Sequence, residues 1–95
     1  MHSSVIGTVM LPKTIVYDDN LTAVDIRLFV ILLDIKSPDG TITESLDALA
    51  ARAGISKFTV VDALRRLTEG GFITKERRHQ LPSLLTIKSG EVIGG

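Results

Sequence analysis

Positively charged side chains are concentrated in the second half of this 95-residue sequence, whose overall net charge is zero. Residues 1–55 carry four Lys/Arg and seven Asp/Glu, a net charge of −3, whereas residues 56–88 carry seven Lys/Arg and three Asp/Glu, a net charge of +4. Lysine and arginine bind phosphate groups through charge-assisted hydrogen bonds. A chain polarised in this way can present one basic face to phosphates while the rest stays acidic.

Other kinds of chemistry find little support in the sequence. There is no cysteine, which excludes disulfides and thiolate metal sites. The two histidines, His2 and His79, lie far apart, so a histidine-rich metal centre is not expected. The sequence contains no nucleophile-elbow, phosphate-loop or zinc-protease motif, and no carboxylate pair in an apolar setting. We therefore expect a binding protein, not an enzyme, without metal or cofactor.

The length suits a single domain. The longest apolar run, residues 28–33, is far shorter than the roughly 20 residues of a membrane span, and no secretory signal is visible. We expect a cytoplasmic protein with an extended segment over residues 1–20, a folded domain over 21–88 and a flexible tail over 89–95.

A first helix is predicted near residues 22–36. Thr22 and Asp25 form a capping pair, with Asp in place of the usual Glu, and Ser37-Pro38-Asp39-Gly40 stops the helix. Its middle is apolar on every side, which is wider than the stripe of an ordinary surface helix. Both faces of this helix must therefore be covered.

Two further helices are predicted near residues 45–53 and 57–69. Ser45 and Ser56 are suitable N-caps, and Gly54 follows the first of the two helices, where a left-handed conformation is needed. The turn between them is too short for antiparallel packing, so the two helices must cross steeply, as in a helix-turn-helix.

The remaining pattern predicts a small β-sheet. The third helix ends at Gly70-Gly71. Residues 72–78 and 83–88 are predicted to form the two strands of a hairpin, with residues 79–82 between them. A short strand at 41–43 can pair with this hairpin. The predicted fold is mainly α with a small β-hairpin.

The segment from Ser45 to Val60, followed by Leu64, Leu67 and Gly71-Phe72-Ile73, resembles winged helix-turn-helix DNA-binding domains. The first part of the domain resembles the winged helices of plasmid and phage replication initiators. The resemblance is carried by Leu11-Pro12, Leu21-Thr22, the apolar helix and Gly40 before the short strand. Many bacterial transcription regulators share this skeleton. The resemblance covers residues 11–88 and implies a three-helix winged helix-turn-helix domain that binds double-stranded DNA.

By this resemblance, helix 57–69 is the recognition helix in the major groove, and residues 72–88 are the wing on the backbone or in the minor groove. On a helical wheel Phe58, Asp62 and Arg65 point away from the apolar face of this helix. The predicted DNA-binding residues are Ser56, Lys57, Phe58, Thr59, Val61, Asp62, Arg65, Arg66, Lys75, Arg77, Arg78 and His79.

These residues have different expected roles. Arginines 65 and 66 can contact phosphate or guanine, and Lys57 and Thr59 can contact phosphate near the helix start. Phe58 and Val61 suit thymine methyl groups. Asp62 either accepts a hydrogen bond from a cytosine amino group or pairs with Arg65 or Arg66. Arg78, at the expected hairpin tip, is predicted to follow a phosphate.

Two alternatives remain open from the sequence. The domain either acts on DNA, in transcription regulation or at a replication origin, or contacts another protein through Phe58 and Val61. The apolar middle of the first helix, with Phe29, Val30 and Leu33 outside its main stripe, predicts a homodimer through this helix and the N-terminal segment. In the other arrangement, residues 5–11 fold back and cover this helix within one chain.

Overall fold

Four helices and three strands follow one another along residues 10–88, the part of the chain that the computed structural model describes. They are α1 (Lys13–Val16), α2 (Ala23–Ile35), β1 (Thr41–Ile42), α3 (Leu46–Ala53), α4 (Lys57–Glu69), β2 (Ile73–Arg78) and β3 (Leu81–Ile87). The three predicted helices and the strand that starts at Thr41 are confirmed. The architecture is a helix-rich domain with a β-hairpin, and it is compatible with a winged helix.

The N-terminal segment differs from the extended conformation predicted for it. Pro12 is the N-cap of α1, a single helical turn, and Ile15 in that turn is completely buried in the core. The folded domain therefore includes residues before position 21. The prediction was wrong here because Ile15 is held by distant core residues, which a local pattern does not contain. The predictions for residues 1–9 and 89–95 lie outside the described part of the chain.

Helix α2 begins with the predicted capping pair. The Asp25 backbone N–H donates to Thr22 Oγ1 at 3.1 Å, and the Thr22 N–H donates to Asp25 Oδ2 at 2.9 Å. Leu28, Phe29 and Leu32 are buried in the core that α2 shares with α3 and α4. The chain itself thus covers much of the apolar surface of this helix.

Phe29 corrects one part of the dimer argument. Its ring lies 6.0 Å from the ring of Phe72 in an edge-to-face arrangement, and its side chain is 0% exposed. Phe29 was expected to lie outside the intramolecular stripe, but Phe72 approaches this side of α2 from the segment that follows α4. No second molecule is needed to bury it.

The turn between α3 and α4 has the predicted geometry. Gly54 has φ 68° and ψ 34°, the left-handed conformation that glycine adopts without steric conflict. Ser45 Oγ accepts from the Ala48 N–H, and Ser56 Oγ accepts from the Thr59 N–H, each at 3.1 Å. Both helices are therefore capped as predicted, and the short turn fixes the direction of α4.

The three strands form an antiparallel sheet in the order β1-β3-β2. Lys75 pairs with Leu85, and Arg78 pairs with Leu81 across a two-residue turn, His79-Gln80. The predicted loop over 79–82 was therefore too long. Pro82 is accommodated within β3 because β1 pairs with β3 only at Leu85 and Thr86.

Candidate nucleic-acid interface

Helix α4 has one buried and one exposed face, as the helical wheel predicted. Val60, Ala63, Leu64 and Leu67 are buried. On the other side Phe58 is 85% exposed and Val61 is 41% exposed. Two apolar side chains therefore lie in solvent within the first five residues of this helix.

The charged groups on the exposed face pair with one another. Arg65 Nη2 lies 3.5 Å from Asp62 Oδ1, and Arg65 Nη1 lies 3.8 Å from Glu69 Oε2. Of the alternatives for Asp62, the structure thus shows the pair with Arg65. These groups are solvent-exposed, and exposed ion pairs contribute only about 0–1 kcal/mol. Arg65 can therefore exchange its partners for an external ligand at little cost.

Arg66 is held in a different way from its neighbour. Its Nε donates to Asp25 Oδ2 at 2.6 Å, and its Nη2 donates to Asp25 Oδ1 at 2.9 Å. Asp25 is completely buried, and the Arg66 side chain is 26% exposed. This bidentate ion pair commits two of the donor groups of Arg66 to fixing α4 against the start of α2, and the DNA contact of Arg66 stays a prediction.

This ion pair was only indirectly predictable from the sequence. Asp25 was assigned to the capping box, and Arg66 was placed beside the outer face of α4. The two residues are 41 positions apart, and α2 and α4 are in contact. A carboxylate at the start of an apolar helix was the one local signal of a buried partner.

Two opposing effects set the pKa of Asp25, burial and hydrogen bonding. Burial by itself raises this pKa, but the hydrogen bond from Arg66, the Thr22 backbone N–H and the Arg66 charge together lower it below the ordinary 3.8. Asp25 is therefore a carboxylate near neutral pH, paired with the Arg66 guanidinium.

This lowered pKa gives the ion pair a defined pH dependence. Because the folded-state pKa lies below the unfolded-state value, the stabilisation is fully present above the unfolded value and disappears as the pH falls through the folded value. We expect urea unfolding to show a loss of stability below about pH 4 that is smaller in Asp25→Asn. Equal acid sensitivity in both proteins would contradict this assignment.

The polar side chains at the start of α4 already contact other groups of the protein. Ser56 Oγ lies 2.9 Å from Thr59 Oγ1, and Lys57 Nζ lies 3.6 Å from Asp47 Oδ1 on α3. Of the predicted phosphate contacts, Lys57 is exposed and Thr59 is half-buried, and each already has a polar neighbour.

The hairpin carries cations that, unlike those of α4, make no ion pair within residues 10–88. Lys75 and Arg77 are exposed on β2, and within residues 10–88 neither side chain makes an ion pair. His79 is exposed in the turn. Lys75 also lines a cleft of about 290 Å³ together with Lys57, which places the hairpin beside the start of α4.

Arg78 is the last residue of β2 before the two-residue turn, but its side chain folds back onto β3 and does not extend from the hairpin tip. Its Nε and Nη2 donate to the Pro82 carbonyl oxygen at 3.0 and 2.8 Å, and the residue is half-buried. The tight turn at 79–80 places Arg78 in the strand ladder, where its side chain reaches across to β3. Arg78 therefore braces the hairpin, and Lys75 and Arg77 are better placed for an external anion.

Comparison with solved structures adds a similar fold. A structure described as "N-Terminal domain of DNA binding protein" superposes with a TM-score of 0.69 and 18% sequence identity, over 93% of this chain and 82% of that chain. No family model matches the sequence, and no curated protein matches it. Among residues 10–88, no helix has the length and apolar character needed to cross a membrane.

Proposed function

We propose that this domain is a winged helix-turn-helix that binds double-stranded DNA. Helix α4 lies in the major groove, and the β2–β3 hairpin is the wing that follows the backbone or the minor groove. The observation that carries this proposal is the cleft that Lys75 of the hairpin lines together with Lys57 at the start of α4, a helix whose outer face is exposed. The fold similarity to a domain described as part of a DNA binding protein supports it.

The two parts of this surface have different electrostatic character. On the outer face of α4, Arg65 is balanced by Asp62 and Glu69. The exposed cations of the hairpin have no such carboxylate partner among the described residues. The hairpin therefore supplies phosphate attraction, which is independent of sequence, and α4 supplies base contacts.

Arg65→Ala tests the assignment of α4. Arg65 is exposed and weakly paired, so it can form a bidentate contact with a base edge. We expect this variant to lose about 1–3 kcal/mol of binding on the preferred site, chosen from a random duplex pool, and much less on random duplex. Fluorescence anisotropy with both duplexes measures the difference.

Arg77→Ala is the matched variant on the hairpin. As a phosphate contact, Arg77 is expected to affect both duplexes about equally, and its loss lowers the slope of log K against log salt by about one. Equal losses on both duplexes for Arg65→Ala and Arg77→Ala, without salt dependence, would show that the recognition surface is misplaced.

The biological role within this proposal is transcription regulation or origin binding in a plasmid or phage replication initiator. The resemblance of residues 11–40 to replication initiators supports the second role, and the skeleton shared with bacterial regulators supports the first. Mapping the selected site to a promoter or to a replication origin separates the two roles.

The exposed Phe58 favours a second candidate function, a winged helix that contacts another protein. An aromatic side chain in solvent is a suitable anchor for a protein interface. In that case duplex binding is absent or nonspecific, and Phe58→Ala leaves DNA affinity unchanged.

We also propose a homodimer through α2 and the N-terminal segment. Val30 and Leu33 are half-buried in the single chain, and a two-fold dimer would place two recognition helices on two half-sites. In the alternative, residues 5–11 cover α2 within one chain, and residues 5–9 lie outside the described part. A monomer mass by sedimentation at about 50 µM protein would contradict the dimer.

A further inference from the structure

The polar side chains on the exposed surface of α4 already have partners within the chain. Arg65 lies between two carboxylates, Lys57 is close to Asp47, and the Thr59 hydroxyl is bonded to Ser56. Any hydrogen bond from these groups to a base exchanges an existing contact for a new one. Because these contacts are at the surface, the exchange costs little, and base contacts from these groups remain possible.

Phe58 and Val61 have no such competing contacts. They are three residues apart and therefore neighbours on one face, in the N-terminal half of α4. In helix-turn-helix proteins this part of the recognition helix contacts base edges. Phe58 is 85% exposed, so nearly all of its apolar surface is available for burial on binding.

The bases offer one apolar group in the major groove, the C5-methyl of thymine. We propose that Phe58 and Val61 read thymine methyl groups, so that the ligand of this domain is duplex DNA with thymines at the positions facing the start of α4. This inference rests on the proposed DNA-binding function and specifies how its target is recognised.

Asp62 is compatible with the same base pair. Its carboxylate follows Val61 directly and lies one helical turn after Phe58. A carboxylate accepts a hydrogen bond from an amino group, and both adenine and cytosine present one in the major groove, but only the adenine amino group lies beside a thymine methyl group. An A·T pair thus offers a methyl group to the apolar side chains and a donor to the nearby carboxylate.

Replacement of thymine by deoxyuridine in the selected duplex tests the proposal, because it removes the methyl group and keeps the base pairing. We expect the affinity of the unaltered protein to fall about fourfold for each contacted methyl group. Deoxyuridine outside the footprint is expected to have no effect. Phe58→Ala is expected to bind the thymine duplex more weakly and to lose sensitivity to the deoxyuridine at one contacted position.

Tyr17→Ala is the matched control, since Tyr17 is an exposed aromatic residue outside α4 and the hairpin. It should retain the full deoxyuridine sensitivity. If the unaltered protein binds duplex DNA equally well with thymine and deoxyuridine, methyl readout is wrong while DNA binding stands. If Phe58→Ala loses affinity but stays sensitive to deoxyuridine at every position, Phe58 does not contact a methyl group. If no duplex binds, the proposed function and this inference both fail.

Discussion

Replacing Arg66 with alanine is expected to lower the free energy of unfolding by about 3–5 kcal/mol, because it leaves a buried carboxylate without its cation. Asp25 is completely buried, and after this change its remaining partner is the Thr22 cap. Small domains have total stabilities of about 5–15 kcal/mol, so this single change brings the protein close to unfolding. Urea unfolding followed by circular dichroism measures the loss.

Arg65→Ala is the control for this experiment, since it removes the same side chain one position earlier on the same helix. Arg65 makes only exposed ion pairs, so we expect a loss below about 1 kcal/mol. Asp25→Asn in the Arg66→Ala background should restore part of the stability, because it removes the isolated charge. Similar losses for Arg65→Ala and Arg66→Ala would contradict the structural role of the Asp25–Arg66 pair.

Phe29→Ala is expected to lower the free energy of unfolding by about 3–5 kcal/mol, the usual range for a large aromatic core residue. The ring is fully buried and packs edge-to-face against Phe72 in the same chain. The loss should therefore be independent of protein concentration. Thermal unfolding over a hundredfold range of concentration, about 1–100 µM, tests this independence.

Val30→Ala provides the comparison on the outer side of α2. Val30 is half-buried, so its removal affects the single chain less than the loss of Phe29 does. In a homodimer formed through α2, the effect of Val30→Ala on thermal stability is largest at high concentration, where both proteins are dimeric, and shrinks on dilution below both dissociation constants. A concentration-dependent effect of Phe29→Ala itself would show that its burial depends on a second molecule.

The parts of the fold that were predictable depend on neighbours in sequence. The caps at Thr22, Ser45 and Ser56 lie within three residues of the N–H groups they accept from, and Gly54 determines its own turn. These local signals placed α2, α3 and α4 close to their observed bounds. The apolar periodicity of α4 also identified its exposed face, including Phe58.

The errors concern contacts between distant residues. The burial of Ile15 depends on the core that the rest of the chain provides, and α1 alone has too few residues to be stable as a helix. The helical periodicity of α4 predicted which way the Arg66 side chain points, but it could not show that Asp25 of α2 lies beside it. The role of Arg78 depended on the length of the turn. The turn is two residues shorter than predicted, so Pro82 lies in β3, within hydrogen-bond distance of the Arg78 side chain.

The salt dependence of duplex binding is the decisive measurement for DNA binding by α4 and the hairpin. Anisotropy titrations of the unaltered protein with its selected duplex at several salt concentrations give the slope of log K against log salt. If α4 and the hairpin bind DNA as proposed, affinity falls steeply with salt, with a slope of about −0.9 for each phosphate contacted. Absence of duplex binding, or an affinity that does not change with salt, would contradict the claim.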